Sequence, residues 1–159
     1  MSAIEGLGHV GIYTEDLLRM RDFYTRVLGL QLTDEDLERG IVFLSANPEA
    51  EHHEVALVRG RDAPRGVKLV NQISFKVKSL DDLKDLHRRL QAEQLPIERF
   101  VSHGISLGLY AYDPEGNRLE LYYKTDFKAP QPLGEPVDIE ASNDELLAVA
   151  RAAEARAKG

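Results

Sequence analysis

Hydrophobic and polar positions alternate along two stretches of the chain, and in both stretches the alternation then changes to a helical spacing. Val10 and Ile12 alternate with other residues in the first stretch, and Ile73, Phe75 and Val77 do so in the second. A period of two is typical of a strand with one buried face. The apolar positions that follow recur every three or four residues, as on one face of a helix: Leu17, Met20, Tyr24 and Val27 in the first stretch, and Leu80, Leu83, Leu86 and Leu90 in the second.

The two stretches are copies of one pattern. GHVGIYTEDLLRMRDFYTRVLG, which begins at Gly8, aligns without a gap with NQISFKVKSLDDLKDLHRRLQA, which begins at Asn71. Three strand-like segments follow each helix: LQLTDE, GIVFLSA and HHEVALVRG in the first half, and IERFVS, LGLYAYDP and NRLELYY in the second. A repeat of this length indicates two copies of one supersecondary unit, here a β-α-β-β-β module.

This repeat predicts the fold class and the domain organisation. We expect an α+β fold in which two βαβββ modules, at about residues 5–60 and 68–124, form one curved, barrel-like mixed sheet with the helices outside. Residues 1–124 would make up this domain, and 125–159 would add a C-terminal arm and a helix. The prolines of KAPQPLGEPVDIEA favour an extended arm, and Ser142 with Glu145 fits a capping box at the start of the helix.

Composition narrows the classes of function. The chain has 159 residues, a formal net charge of −7 and no cysteine. An acidic chain argues against nucleic-acid binding, which depends on clustered basic residues, and the missing cysteines exclude thiolate metal sites and cysteine nucleophiles. No basic leader or long apolar run is present, so we expect a cytoplasmic protein that binds neither nucleic acid nor membranes.

Two polar side chains occupy equivalent places in the repeat, because Gln72 aligns with His9. Both would lie on the concave side of the sheet, since their apolar neighbours face the helices. In RLELYY, Glu120 alternates with Leu119 and Leu121 and would share that side. Taken alone, Glu120 would more simply be a solvent-facing residue. A histidine and a carboxylate on one concave face favour a metal site instead, because imidazole nitrogen with carboxylate oxygen is a common donor set for divalent metals.

The repeat, its opening GHVGIYTEDLLRMRDFYTRVLGL and its closing DPEGNRLELYY resemble the vicinal oxygen chelate superfamily over about residues 5–124. This superfamily includes glyoxalase I, bleomycin-resistance proteins and type I extradiol dioxygenases. EHHEVALV and SHGISLGLYAYDPEGN are most similar to segments of the extradiol, ring-cleaving dioxygenases. The repeat argues against glyoxalase I itself. EVALVRG aligns with RLELYYK and places Ala56 opposite Glu120, where that family has a fourth metal ligand and alanine cannot coordinate.

The resemblance assigns a role to six residues. It implies a metal site formed by His9, Gln72 and Glu120, in which Gln72 stands where the family has a second histidine ligand. It also implies an acid–base residue at His53, a substrate contact at His103 and the active-site tyrosine at Tyr110. His52 would be an exposed neighbour of His53. His87, near the leucine stripe of the second helix, would be a boundary residue with no chemical role.

The activity that the resemblance implies is metal-dependent extradiol cleavage of a catecholic ring with O2. Fe(II) is the expected metal, and Mn(II), Zn(II) and Ni(II) stay open because Gln72 replaces the family histidine. The expected partners are a small aromatic diol, O2 and a second copy of the chain in a homodimer. Two alternatives stay open: another metal-dependent enzyme of this scaffold, such as an isomerase, epimerase or lyase, and a metal-free binding protein of the bleomycin-resistance type.

Overall fold

The chain divides into two compact units, Met1–Val67 and Lys68–Gly159. The computed structural model describes residues 6–65 and 67–156. The expected boundary at residue 124, between a domain and a tail, stays a prediction.

The first unit consists of one mixed four-stranded sheet and a helix that follows its first strand. Its strands have the order β1-β4-β3-β2, in which β1 and β4 are parallel and the other neighbours are antiparallel. The elements are β1 (Val10–Thr14), α1 (Leu17–Asp22), a π-helical segment (Phe23–Val27) that continues α1, β2 (Gln31–Asp36), β3 (Ile41–Ser45) and β4 (Val55–Arg59).

Helix α1 begins where the sequence supplies a cap. The carboxylate of Asp16 accepts a hydrogen bond from the backbone N–H of Arg19 at 3.0 Å, which satisfies a donor that the first turn leaves open. The predicted stripe of Leu17, Met20, Tyr24 and Val27 is buried, and α1 packs on β3 and β4. The apolar spacing therefore placed the helix correctly, although it did not indicate the π-helical segment.

The second unit repeats the same arrangement and extends it. Its strands have the order β5-β8-β7-β6-β9, again with the first two parallel. The elements are β5 (Ile73–Val77), α2 (Leu80–Ala92), β6 (Ile97–Ser102), β7 (Ser106–Tyr112), β8 (Arg118–Lys124), β9 (Glu135–Pro136) and α3 (Asn143–Arg156).

Helix α2 is capped by Ser79, whose hydroxyl accepts from the backbone N–H of Asp82 at 3.1 Å. It packs on β5, β7 and β8. On its inner face His87 is buried, with Nδ1 3.6 Å from a Glu140 carboxylate oxygen. The imidazole therefore takes a core position beside the leucines, where the sequence indicated only a boundary residue.

The tail returns to the second unit. β9 pairs with β6, and α3 packs on β6 and β7. The predicted capping box is present: the backbone N–H of Glu145 donates to the Ser142 hydroxyl at 3.2 Å, and the backbone N–H of Ser142 donates to the Glu145 carboxylate at 2.8 Å. The expected arm and helix thus contribute a strand and a packed helix to this unit.

The α+β class and the two βαβββ modules are confirmed. Hydrogen bonds join the strands of each module into a sheet of its own, where the sequence predicted one curved sheet. Among residues 6–65 and 67–156, no helix has the length and apolar character to span a membrane.

Candidate functional site

A row of polar side chains crosses the second sheet on the face opposite α2. Strand register places Ser74 of β5 opposite Glu120 of β8, and Glu120 opposite Tyr110 of β7. Tyr110 in turn lies opposite Arg99 of β6. Because successive side chains of a strand point to opposite faces, the neighbours of these residues, such as Leu119 and Leu121, are buried on the other side. The sheet thus brings four polar groups from four strands to one face.

The carboxylate of Glu120 is the centre of this row. The residue is buried, at 9% exposure. Its Oε2 accepts from the Gln72 amide at 2.8 Å and from the Ser74 hydroxyl at 2.6 Å, and its Oε1 accepts from the Tyr110 hydroxyl at 2.8 Å. All three donors are neutral, so they orient the carboxylate without neutralising its charge.

Gln72 connects Glu120 to a basic residue. While its amide nitrogen donates to Glu120, its amide oxygen accepts from Arg118 Nη1 at 2.9 Å. Glu98 holds Arg118 through two hydrogen bonds, from Nε at 2.6 Å and from Nη2 at 3.0 Å. The pKa of the Glu98 carboxyl is lowered, first by its hydrogen bond from Arg118, so this pair remains ionised over the neutral range.

Tyr110 is a phenol in an unusual environment. Burial, followed by the hydrogen bond and the negative charge of Glu120, raises its pKa to about 12. The guanidinium carbons of Arg118 and Arg99 lie 4.4 and 4.8 Å from the centre of its ring, within cation–π distance. At neutral pH Tyr110 therefore keeps its proton and donates a hydrogen bond.

His103 extends the row toward the C-terminal arm. Its Nε2 lies 3.0 Å from the Tyr110 hydroxyl, and its Nδ1 is hydrogen-bonded to the backbone carbonyl of Leu133. Gln131 supports this contact, since its amide donates to the His103 carbonyl at 2.8 Å and accepts from the Leu133 N–H at 3.2 Å. The arm thus orients His103.

Because Gly108 has no side chain, the side chains of Glu120, Tyr110 and His103 can lie beside it. A Cβ at this position would lie 3.0 Å from Glu120 Oε1, 3.4 Å from Tyr110 Cε2 and 3.6 Å from His103 Nε2. A side chain there would push against the carboxylate, so the site depends on glycine at this point of β7.

The first unit has a separate cluster of three histidines. The rings of His9 and His53 are 4.4 Å apart, the Nδ1 atoms of His52 and His53 are 3.0 Å apart, and the ring of Phe43 lies 4.6 Å from that of His53. Burial, and then the nearby imidazoles of His9 and His52, lower the pKa of His53. His53 is therefore neutral at pH 7 and able to accept a proton. His52 is exposed, as expected.

Strand register supports the alignment of Ala56 with Glu120. Ala56 of β4 lies opposite Gly11 of the parallel strand β1, just as Glu120 of β8 lies opposite Ser74 of β5. The first module therefore has no ligating side chain at the place where the second has a carboxylate.

Each unit brings part of the predicted set together. Gln72, His103, Tyr110 and Glu120 form one connected cluster in the second unit, and His9 contacts His53 in the first. That His9, Gln72 and Glu120 bind one metal stays a prediction. The sequence analysis missed Ser74, Gly108, Arg118 and Leu133. Ser74 alternates with Ile73 and Phe75 on the face of Gln72, which could have identified it, whereas the contact of Leu133 is non-local.

The side chains of the predicted metal site can be compared with those that usually bind a divalent metal. No group of three or more His, Asp or Glu side chains suited to a metal occurs within the described ranges. The predicted set contains one imidazole, one amide and one carboxylate, so it is outside that class of site. Glu120 fits a ligand role, because a buried carboxylate with neutral hydrogen-bond donors has a charge that a cation would balance.

The model of the Glyoxalase/Bleomycin resistance protein/Dioxygenase superfamily matches residues 6–121. Biphenyl-2,3-diol 1,2-dioxygenase 2 of Rhodococcus globerulus is 31% identical over 125 residues, which are 76% of this chain and 64% of the relative. The chain therefore spans less than two thirds of the length of that dioxygenase.

Two solved structures share the fold. Lactoylglutathione lyase from Agrobacterium tumefaciens has a TM-score of 0.58 and 20% identity, over 77% of this chain and 96% of that one. The fosfomycin resistance protein FosX from Listeria monocytogenes has a TM-score of 0.62 and 19% identity, over 77% of this chain and 94% of that one. At these identities the likeness concerns the fold alone.

Proposed function

The chain belongs to the glyoxalase/bleomycin resistance protein/dioxygenase superfamily, and we propose that it is a metal-dependent dioxygenase that cleaves a catecholic ring beside its diol with O2. The observation that carries this proposal is the hydrogen-bonded chain from His103 through Tyr110 to Glu120. These are the positions at which the resemblance to extradiol dioxygenases implies a substrate contact, the active-site tyrosine and a metal ligand. The identity of 31% to a biphenyl-2,3-diol dioxygenase supports the substrate class.

In this proposal His9 and Glu120 hold a divalent metal, with Gln72 at the third family position. Fe(II) is the metal we expect. A bound ion of this kind would supply the Lewis-acid and redox chemistry that brings an aromatic diol and O2 together. An amide oxygen is a harder and weaker donor for iron than an imidazole nitrogen, so we expect lower affinity than a site with two histidines would have.

The protein's own residues would orient the substrate and move its protons. Tyr110, protonated at neutral pH, donates a hydrogen bond to an oxygen of the diol when it is released from Glu120. His103 orients Tyr110 and contacts the substrate. His53, whose pKa is lowered, accepts a proton from the diol and returns it later, as a residue that titrates near neutrality can.

The test is oxygen uptake by the metal-loaded protein. The protein is loaded with Fe(II) under anaerobic conditions and mixed with catechol or 2,3-dihydroxybiphenyl, and air is then admitted. We expect one O2 consumed per diol and a yellow product heavier than the diol by the mass of O2. Glu120→Ala should abolish oxygen uptake. Glu140→Ala, which removes an exposed carboxylate, should leave oxygen uptake unchanged.

The other outcomes separate the alternatives. Bound metal without oxygen uptake for either diol would contradict ring cleavage and favour an isomerase, epimerase or lyase of the same superfamily. Absence of metal binding with Fe(II), Mn(II), Zn(II) and Ni(II) would favour a metal-free binding protein.

A further inference from the structure

We propose that Arg118 fixes the amide of Gln72 as a hydrogen-bond donor to Glu120 and keeps its oxygen out of the metal coordination sphere. Gln72 would then position the carboxylate ligand without being a ligand itself. The inference rests on the proposed function in one respect, that Glu120 binds a divalent metal.

The orientation of the Gln72 amide follows from the chemistry of its two neighbours. A guanidinium has only donors, and an ionised carboxylate has only acceptors. The amide has one oxygen that accepts and one nitrogen that donates. Only one orientation therefore satisfies both sides, with the oxygen on Arg118 Nη1 at 2.9 Å and the nitrogen on Glu120 Oε2 at 2.8 Å.

If the Gln72 amide were flipped, it would make repulsive contacts with both Arg118 and Glu120. Its nitrogen would face the N–H groups of Arg118, and its oxygen would face the carboxylate of Glu120. Two charge-assisted hydrogen bonds would be lost and two repulsive contacts would replace them. A metal at Glu120 that recruited the Gln72 oxygen would have to overcome this opposition.

The side chain of Arg118 is fixed by its own contacts, which restrict its movement away from Gln72. Glu98 accepts from Nε and Nη2, and the hydroxyl of Tyr112 donates to the same Glu98 carboxylate at 3.1 Å. The guanidinium lies over the Tyr110 ring, and the Arg118 side chain is only 15% exposed. The Nη1 atom is thus directed at Gln72 by the contacts of Arg118 with Glu98 and with the Tyr110 ring.

Ser74 strengthens the donor role of Gln72. The Gln72 nitrogen also lies 3.1 Å from the Ser74 hydroxyl, which itself donates to Glu120 Oε2 at 2.6 Å. Glu120 Oε2 is therefore held by an amide and a hydroxyl. The second module offers the metal one ligand, the carboxylate, and more of the coordination sphere is left to the substrate, O2 or water.

The test measures Mn²⁺ affinity by the electron paramagnetic resonance signal of the free ion, without any turnover. Four proteins are compared: wild type, Gln72→Ala, Arg118→Met and the double variant. Loss of Gln72 affects affinity in wild type only through the orientation of Glu120. In Arg118→Met the freed amide oxygen can coordinate, so Gln72→Ala should cost about tenfold more affinity there than in wild type.

Arg99→Met is the matched control for charge. This variant removes a guanidinium that also lies over the Tyr110 ring, at 4.8 Å. It should raise Mn²⁺ affinity less than Arg118→Met does, because it leaves the amide in place. An equal cost of Gln72→Ala in the two backgrounds would show that Arg118 does not decide whether Gln72 coordinates and would overturn the inference, as would absence of Mn²⁺ binding in all four proteins.

A second measurement covers the case in which Arg118→Met does not fold. In the zinc-loaded wild-type protein, the side-chain amide protons of Gln72, assigned by their loss in Gln72→Ala, should exchange slowly because they stay bonded to Glu120. In Glu98→Gln, which loosens Arg118, exchange should become faster. Fast exchange in the zinc-loaded wild type would contradict the inference. Both readouts are independent of oxygen uptake, so failure of ring cleavage and failure of this inference are distinguishable.

Discussion

Tyr110 and Glu120 lie directly opposite each other on β7 and β8, and the phenol hydroxyl donates to the carboxylate at 2.8 Å. Both residues are buried, so the carboxylate acts on the phenol in a medium that screens charge poorly. At neutral pH the proton stays on the Tyr110 hydroxyl, and the Glu120 carboxylate carries the negative charge. A cation bound at Glu120 would weaken this hydrogen bond and release the hydroxyl for a substrate oxygen.

The first prediction concerns the titration of Tyr110. Its pKa is raised from 10.0 to about 12, so its phenol should ionise later than an ordinary tyrosine when absorbance at alkaline pH is followed in the folded protein. The protonated phenol is favoured in the folded state. Its contribution to stability is therefore complete below pH 10 and is lost as the pH rises from 10 to 12, by up to about 3 kcal/mol.

Tyr110→Phe is the control for this titration. The variant should lack the late absorbance step and should lose less stability than wild type between pH 10 and 12 in urea unfolding. If the unfolding free energy fell equally with pH in the two proteins, the Glu120 carboxylate would not be raising the pKa of Tyr110.

The second prediction concerns the space at Gly108. In Gly108→Ala the new Cβ would lie 3.0 Å from Glu120 Oε1, so the variant should lose about 1–2 kcal/mol of unfolding free energy. Gly11→Ala is the matched control, because Gly11 also lies in a strand but has no atom within 4 Å of the added Cβ. Urea unfolding of both variants checks this, and equal losses would show that the strand and not the site is sensitive.

The fold was largely predictable because a period of two followed by a helical period occurs twice in the chain. Gln72 and His9 could be aligned without coordinates, and Ala56 could be matched with Glu120. The local capping signal of Ser142 and Glu145 was also sufficient to place the start of α3.

The remaining features depend on contacts between distant residues. The bond of Arg118 to Gln72 joins residues 46 positions apart, and no local pattern indicates it. The carbonyl of Leu133 reaches His103 only because β9 returns the arm to β6. His87 is buried, although its position beside the leucine stripe predicted only a boundary residue. The family resemblance predicted Glu120 as a metal ligand, whereas its three neutral hydrogen-bond donors required the structure.

The third prediction concerns the cap of α3. Ser142→Ala removes the hydroxyl that accepts from the Glu145 N–H, and it should cost about 1 kcal/mol of unfolding free energy. Gln91→Ala, at an exposed position in α2, should be nearly neutral. Thermal unfolding followed by circular dichroism compares the two, and an unchanged midpoint for Ser142→Ala would show that α3 is held by packing alone.

The fourth prediction concerns His53 as the acid–base residue. His53→Gln should reduce kcat/KM for ring cleavage by about 10²- to 10⁴-fold, the usual contribution of general acid–base catalysis. His52→Gln should have a much smaller effect, since His52 is the exposed neighbour. A comparable loss in both variants would contradict the assignment to His53.

The pH profile tests the same residue independently. Burial and two neighbouring imidazoles lower the pKa of His53, so it stays neutral to a lower pH than an ordinary histidine. The acidic limb of kcat/KM should therefore fall below pH 6.5, and this limb should be absent in His53→Gln. A limb above pH 6.5 in wild type would be inconsistent with His53 as the base.

The central claim is that Glu120 and His9 bind the same divalent ion, and equilibrium Mn²⁺ binding to three proteins tests it most directly. Wild type should bind one ion per chain, and Glu120→Ala and His9→Ala should each weaken binding by at least about tenfold without loss of secondary structure. Binding that survives in either variant with the affinity of wild type would contradict the claim.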